Sequence, residues 1–84
     1  AVLAHEYAHS WQEEHCVQGQ PLLIREGFAE WIAYKTLMFY NLTEEAKMME
    51  ERQKDVYGEG LKKMLKLETA SNELSVFRYS KYAK

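Results

Sequence analysis

The spacing of apolar residues predicts a chain built mostly of helices. In the opening segment, which contains neither Gly nor Pro, apolar side chains recur at every fourth position: Leu3, Tyr7 and Trp11. This periodicity predicts a first helix from residue 1 to about residue 14. Residues 15–21 are mostly polar and contain Gly19 and Pro21, which predict a loop that returns the chain.

The second helix is predicted over residues 22–40, the most apolar segment of the chain. This segment is long enough for about five turns and is hydrophobic nearly all round, so we expect it to be buried. Charged residues nevertheless lie in its first half, namely Arg25, Glu26 and Glu30. Charged groups are seldom fully buried unless they are paired or bind a metal. The two glutamates are therefore expected either to bind a metal or a charged partner, or to lie on an exposed, solvated stripe of the helix.

Two further helices are predicted after residue 40. Asn41 and Thr43 are good N-caps for a third helix, which we expect to run to about Asp55 with its charges on a solvated face. Gly58 and Gly60 are expected to interrupt the chain. Helical spacing then resumes in a fourth helix with an apolar stripe: Leu61, Met64 and Leu65.

The last segment allows two interpretations. Ser71 or Asn72 can cap a short fifth helix through Tyr79, whereas Leu74 and Val76 also alternate as they would in a strand. The helical interpretation makes the predicted fold all-α, with about four to five helices.

Length and composition narrow the class of protein. The chain has 84 residues, of which 46% are hydrophobic and 29% charged, as expected for one globular domain spanning residues 1–84. The net charge is −2 and the 11 basic residues are dispersed among 13 acidic ones, which argues against a nucleic-acid partner. No apolar run is long enough to span a membrane, and no signal peptide is visible. Cys16 is the only cysteine, which excludes an internal disulfide and favours a reducing, cytoplasmic location.

The opening helix carries a pattern typical of a metal site, His5-Glu6-Tyr7-Ala8-His9. Residues four apart on an α-helix lie on one face, so His5 and His9 can chelate a single ion. Catalytic zinc has a tetrahedral shell with one position left to water, whose pKa the metal lowers to about 7. Glu6 is close enough to take a proton from that water without being a ligand. The spacing thus predicts two zinc ligands and a general base.

The second helix can complete this site. Glu26 and Glu30 share a helix face at the same spacing as His5 and His9. An antiparallel pairing of the first two helices can therefore bring four functional groups to one point. A third ligand would distinguish a zinc site from a chance motif on an ordinary helix.

These two segments together resemble the gluzincin zinc peptidases, whose pattern is HExxH followed by a glutamate ligand in an EGFA-like sequence on the next helix. Here HEYAH is followed, after sixteen residues, by Glu26 and the sequence GFA. The resemblance implies His5, His9 and Glu26 as zinc ligands and Glu6 as the general base. It also implies that Glu30 holds a zinc-ligand histidine by its distal ring nitrogen. The implied activity is hydrolysis of peptide bonds in a peptide or protein substrate.

A third segment extends the resemblance. The six residues VYGEGL at positions 56–61 are similar to the YGxGF-type segment of the ubiquitin-activated LIM-domain peptidases that limit organ growth in plants, and of their bacterial relatives. The LIM and ubiquitin-interaction modules of the plant proteins are absent here, so regulation by ubiquitin is not implied. Within this segment Tyr57 is the candidate group that stabilises the oxyanion during hydrolysis, with simple core packing as its alternative role. Three other tyrosines are competing candidates: Tyr34, Tyr79 and Tyr82.

A competing zinc-site interpretation uses His15, which follows His9 by six residues as the third histidine does in HExxHxxGxxH metzincins. That class requires a glycine where this chain has Gln12, a helix former, so no turn is expected there. We therefore expect His15 to be a solvated loop residue and not a ligand. Cys16 is a weaker ligand candidate still, because thiolates belong mainly to structural zinc sites.

The combined pattern resembles the C-terminal helical part of a zinc metallopeptidase catalytic domain. Gluzincins usually bind peptide along the edge of a sheet that precedes the HExxH helix, and no such strand is predicted here. We expect the N-terminal part of the domain to lie outside this sequence, so that the chain contributes the metal-binding half of a cleft. Two functional alternatives remain: a zinc-bound but inactive regulatory or scaffold domain, and a metal-free helical protein-interaction module.

Overall fold

The computed structural model of the protein describes residues 2–51 and 56–83, with only the backbone described at positions 2, 3 and 56. Within these residues the fold is all-α, as predicted, and contains no strand. Five helices follow one another: α1 Val2–His15, α2 Leu22–Phe39, α3 Thr43–Glu51, α4 Val56–Ala70 and α5 Glu73–Tyr82. None of these five helices is long and apolar enough to cross a membrane. The predicted end of the third helix at Asp55 lies outside the described residues.

The α2 helix lies at the centre of the fold, in contact with each of the other four helices. Its buried residues are distributed around the helix axis: Ile24, Gly27, Phe28, Ala29, Trp31, Ala33 and Leu37. A helix that is apolar on all sides must be covered on all sides, so the remaining helices pack around it. The prediction of burial is confirmed for residues 24–37, whereas Leu22 and residues 38–40 of the predicted segment are exposed.

Four aromatic rings from α1, α2 and α5 form the middle of the core. Trp11, Phe28, Trp31 and Phe77 contact one another with ring centroids 5.3–6.0 Å apart, in tilted or edge-to-face arrangements. Such pairs contribute about 0.5–1.5 kcal/mol each beyond the burial of their surface. Trp11 therefore packs in the core, as predicted, and holds α1 against α2.

The α2 and α4 helices approach each other backbone to backbone at Gly27 and Gly60. A Cβ atom at Gly27 would lie 2.6 Å from the Cα of Gly60, and one at Gly60 would lie 2.7 Å from the carbonyl oxygen of Leu23. The prediction that Gly58 and Gly60 interrupt the chain is wrong, because α4 begins at Val56 and runs through both glycines. Tertiary contact at Gly60 outweighs the weak helix propensity of glycine.

The connection from α2 to α3 uses Asn41 differently from the prediction. Asn41 has a left-handed backbone, with φ at 60°. Its N–H donates to the carbonyl of Met38 at 3.1 Å, and the N–H of Leu42 donates to the carbonyl of Leu37 at 2.8 Å. This pair of bonds closes the C-terminus of α2, where asparagine tolerates the left-handed conformation. Asn41 therefore ends α2 instead of capping α3, which begins at Thr43.

The last segment is a helix, so the strand alternative is wrong. Asn72 is the N-cap of α5, and its side-chain oxygen accepts a hydrogen bond from the N–H of Ser75 at 2.9 Å. Val76 is fully buried and Leu74 is exposed. Two residues separated by one position lie on opposite sides of a helix but on the same face of a strand, so their burial agrees with the helical assignment.

The far end of α5 is tied to the loop between α1 and α2. The side-chain nitrogen of Gln20 donates to the carbonyl oxygens of Ser80 and Ala83 at 2.8 and 2.7 Å, and the N–H of Val17 donates to the carbonyl of Lys81 at 3.0 Å. The carbonyls of a last helical turn have no partner within the helix. These bonds supply partners for them and hold the loop in place.

A charged network joins α2, α4 and α5. Lys35 lies between Glu68 and Glu73, with Nζ–Oε2 separations of 2.6 and 2.8 Å, and the indole N–H of Trp31 donates to Glu68 at 3.1 Å. The hydrogen bonds to Glu68 and Glu73 raise the pKa of Lys35 above its ordinary value. Burial raises the pKa of Glu68, but the hydrogen bonds from Lys35 and Trp31 together leave it below its ordinary value.

Candidate metal centre

The first two helices run antiparallel. Their contacts progress from His5 with Glu30 at one end to Gln12 with Arg25 at the other. The face of α1 that carries the HEYAH motif therefore meets the face of α2 that carries the two glutamates. This is the antiparallel pairing that the sequence analysis expects to bring the functional groups of the two helices together.

Three potential metal ligands meet on these faces, namely His5, His9 and Glu26. The Nε2 atom of His5 lies 3.1 Å from the Nε2 atom of His9 and 3.1 Å from Oε1 of Glu26. The Nε2 atom of His9 lies 3.2 Å from the same oxygen. The three side chains are 14–21% exposed. The triangle of donor atoms is thus largely shielded from solvent but still accessible.

The outer ring nitrogen of His5 is held by Glu30. Nδ1 of His5 lies 2.9 Å from Oε1 of Glu30. An ionised carboxylate only accepts hydrogen bonds, so Nδ1 carries the proton and donates it. The Nε2 atom of a neutral His5 then has no proton and directs its lone pair into the triangle. Glu30 lies beside the distal nitrogen of His5, at the position that the family resemblance implied.

The outer ring nitrogen of His9 is held by Gln12, a residue for which the sequence predicted only a helical conformation. Nδ1 of His9 lies 2.7 Å from Oε1 of Gln12, whose Nε2 donates to the carbonyl of Arg25 at 3.0 Å. An amide oxygen only accepts, so Nδ1 of His9 donates to it. The one signal in the sequence was the i, i+3 spacing from His9, which places Gln12 on the same face of α1.

The two outer hydrogen bonds leave three lone-pair atoms facing one another inside the triangle. Such atoms repel unless a cation lies among them, either a metal ion or an added proton on one ring. A tetrahedral zinc shell with bonds of about 2.0–2.1 Å separates neighbouring donors by about 3.3–3.4 Å, close to the 3.1–3.2 Å found here. Two imidazoles and one carboxylate are also a ligand set of catalytic zinc. The residues present therefore fit a zinc ion.

Of the other two predicted site residues, Tyr57 lies against a ring of the triangle and Glu6 adjoins His5 in sequence. Tyr57 of α4 is next to His5, with ring centroids 6.1 Å apart, and its side chain is 44% exposed. Glu6 follows His5 on α1 and is exposed. Tyr57 lies about one helical turn before Gly60, so the close contact of Gly60 with α2 brings this tyrosine toward the histidines. Both side chains are accessible to a bound molecule.

The three competing tyrosines have partners elsewhere. The hydroxyl of Tyr34 donates to Glu50 at 3.0 Å, and burial together with this hydrogen bond raises the pKa of Tyr34. The rings of Tyr79 and Tyr82 each lie against the ammonium group of a lysine. Of the four tyrosines considered, the structure brings Tyr57 to the candidate centre.

The structure keeps His15 away from the triangle. The α1 helix continues without a turn through Gln12 to His15, whose exposed ring packs on Trp11 with centroids 5.0 Å apart and whose Nε2 lies 3.7 Å from Glu14. The predicted loop position is wrong by one residue, because His15 is the last residue of α1. Burial raises the pKa of the Cys16 thiol, which disfavours the thiolate form needed to bind a metal.

No family model, no curated protein and no solved structure matches this chain. The function must therefore be inferred from the residues themselves and from the geometry of the centre.

Proposed function

We propose that this protein is a zinc-dependent metallopeptidase of the gluzincin type, which hydrolyses peptide bonds. The observation that carries the proposal is the triangle of His5, His9 and Glu26, whose donor atoms lie 3.1–3.2 Å apart while both outer ring nitrogens are already engaged. Zinc bound there would supply a Lewis acid that acidifies water and polarises a carbonyl group. The resemblance of the HEYAH and EGFA segments to gluzincins supports the same function.

Glu6 is the proposed general base. It is exposed, it adjoins His5 on α1, and it is not one of the three donors of the triangle. Its carboxylate is therefore available to accept a proton from the attacking water. The same carboxyl group can then return that proton to the nitrogen of the departing amine.

Tyr57 is the proposed stabiliser of the oxyanion. Its phenol can donate a hydrogen bond to the substrate carbonyl oxygen as negative charge develops on that atom. Losing one such donor typically costs about 10²–10³ in rate. Tyr57 is exposed and its ring lies against that of His5, with centroids 6.1 Å apart, so its phenol is accessible to a substrate bound beside the histidines.

Glu30 is proposed to hold His5 as a ligand. The carboxylate at 2.9 Å keeps the proton on Nδ1 and increases the basicity of Nε2. Loss of a partner of this kind weakens metal binding by about 10–100-fold. The corresponding nitrogen of His9 lies against a neutral group, the side-chain amide of Gln12.

The experiment that tests this function compares zinc content and peptide hydrolysis in the full-length wild-type protein and in its Glu6→Gln variant. Glu6 handles a proton and provides no ligand atom, so Glu6→Gln should retain zinc while hydrolysis falls by about 10²–10⁴-fold. Glu13→Gln changes another exposed glutamate of α1 and is the matched control, which should retain both zinc and activity.

Each alternative function gives a different result in the same experiment. Undiminished hydrolysis by Glu6→Gln would refute the proposed mechanism. Zinc binding without hydrolysis in the full-length wild-type protein would favour an inactive regulatory or scaffold domain. Failure of the wild-type protein to bind zinc would favour a metal-free helical interaction module.

A further inference from the structure

We infer that Gln12 is a positioning residue of the metal centre, which fixes the tautomer of His9 and couples that ring to the backbone beside Glu26. The inference rests on the proposed zinc site and adds a residue that is neither a ligand nor part of the HExxH motif. Its basis is the burial of Gln12, the direction of its two hydrogen bonds, and the place of its partner on α2.

The amide of Gln12 is buried with both of its ends engaged. The residue is only 4% exposed. Its Oε1 lies 2.7 Å from Nδ1 of His9, and its Nε2 donates to the carbonyl of Arg25 at 3.0 Å. A buried amide that lost either partner would leave an unsatisfied polar atom, so the two contacts hold each other in place.

The carbonyl of Arg25 determines the direction of this chain of hydrogen bonds. A carbonyl oxygen only accepts, so the amide nitrogen of Gln12 must face it and the amide oxygen must face His9. The proton of a neutral His9 must then lie on Nδ1, which leaves a lone pair on Nε2, 3.2 Å from Oε1 of Glu26. A solvated histidine favours the opposite tautomer, whose Nε2 carries the proton and cannot bind a metal.

The hydrogen bond to Arg25 gives the side chain of Gln12 a second role. Arg25 immediately precedes Glu26, so the side chain of Gln12 connects the helix of one ligand to the backbone of another. Glutamine suits this position because its side-chain amide carries a donor and an acceptor at the same distance from the backbone. A glutamate would offer Arg25 no N–H, and a leucine would offer neither group. His5 is thus held by a carboxylate and His9 by an amide.

The first test is zinc affinity in three variants. Gln12→Leu removes both hydrogen bonds and should weaken zinc binding by about 10–100-fold. Gln12→Glu keeps the acceptor for His9 but loses the donor to Arg25, so it should weaken zinc binding less than Gln12→Leu does. Gln18 is exposed, so Gln18→Leu is the matched control and should bind zinc as wild type does.

The second test observes the hydrogen bond directly by NMR. In the zinc-loaded chain the Nδ1 proton of His9 should exchange slowly with water, because Gln12 accepts it within a buried contact. Exchange should be faster in Gln12→Leu but not in Gln12→Glu or Gln18→Leu. Unchanged exchange together with unchanged zinc affinity in Gln12→Leu would overturn the inference. If Gln12→Leu does not fold, the tautomer of His9 in the zinc-free wild-type chain decides, and a proton on Nε2 of that ring overturns the inference.

Failure of the proposed function gives a separate result. If the wild-type chain binds no zinc, that function is wrong, whereas the tautomer of His9 in the wild-type chain still decides the role of Gln12. A proton on Nδ1 of His9 would support that role, and a proton on Nε2 would overturn it.

Discussion

Replacing Gly60 with alanine should destabilise this fold, although the same change would stabilise an isolated helix. Alanine is favoured over glycine in a helix interior by about 1 kcal/mol. In the folded chain, however, the new Cβ would lie 2.7 Å from the carbonyl oxygen of Leu23 and 2.9 Å from the backbone nitrogen of Gly27. Both are backbone atoms of α2, which cannot rotate away as a flexible side chain can.

The size of the effect of Gly60→Ala follows from the separation that the new methyl group forces. Ordinary van der Waals contact begins near 3.4 Å, so α2 and α4 must move apart by roughly 0.5–1 Å. A gap of that size removes about a quarter to a half of the dispersion energy between the packed atoms of the two helices. Leu61 and Met64 of α4 are fully buried and lie close to this point in the helix. Overpacking costs about 1–3 kcal/mol, and a clash with backbone belongs at the upper end. After the propensity gain, we expect a net loss of about 1–2 kcal/mol, or about 4–16 °C in Tm.

Thermal unfolding at a fixed free zinc concentration measures this loss, because a ligand of the native state shifts Tm by itself. Gly27→Ala places its Cβ 2.6 Å from the Cα of Gly60 and should also be destabilising. Lys66→Ala changes an exposed position on α4 and should stay within about 0.5 kcal/mol of wild type. A Tm for Gly60→Ala equal to or above that of wild type would refute the close approach of α2 and α4.

Two further predictions concern metal removal and pH. EDTA should lower Tm, because the proposed zinc-binding side chains come from two helices and the bound metal therefore stabilises the folded state. A metal that binds only the native state adds about 4 kcal/mol to the free energy of unfolding at a free concentration one thousand times its Kd. A melting curve that EDTA does not change, in protein shown to contain zinc, would contradict this coupling. The network around Lys35 should lose its stabilising effect at both extremes of pH. Because the pKa of Lys35 is raised in the folded state, its contribution to the free energy of unfolding is complete below the ordinary lysine pKa and is lost as pH rises through the folded-state pKa. Because the pKa of Glu68 is lowered, its contribution is complete above the ordinary glutamate pKa and is lost as pH falls through the folded-state pKa. Unfolding free energies of wild type and Lys35→Met should therefore differ most near neutral pH, by about 0.5–1 kcal/mol for partly exposed groups, and a difference independent of pH would count against the network.

The parts of this fold that could be predicted are those that depend on local periodicity. The i, i+4 spacing of His5 with His9 and of Glu26 with Glu30 defines two helix faces without reference to the rest of the chain. A short loop between two helices then leaves an antiparallel pairing as the simple arrangement, and the structure contains it. The length and burial of α2 follow likewise from one continuous apolar segment.

The parts that could not be predicted depend on residues distant in sequence. Gly60 breaks a helix by propensity, yet it lies inside α4 because Gly27 meets it from α2. Asn41 is a good N-cap by residue type, yet its left-handed backbone ends α2. The sequence identifies Gln12 only as a helix former, because its role requires the carbonyl of Arg25 from the next helix. In each case a partner on another segment determines which of several local preferences is realised.

The most direct measurement of the central claim is the zinc content of the purified wild-type chain, Glu26→Ala and His15→Ala. The donor triangle contains Glu26, whereas His15 lies at the exposed end of α1 against Trp11. We predict one zinc per chain in wild type and in His15→Ala, and loss of zinc in Glu26→Ala. Zinc retained in Glu26→Ala and lost in His15→Ala would contradict the account and place the third ligand at the end of α1.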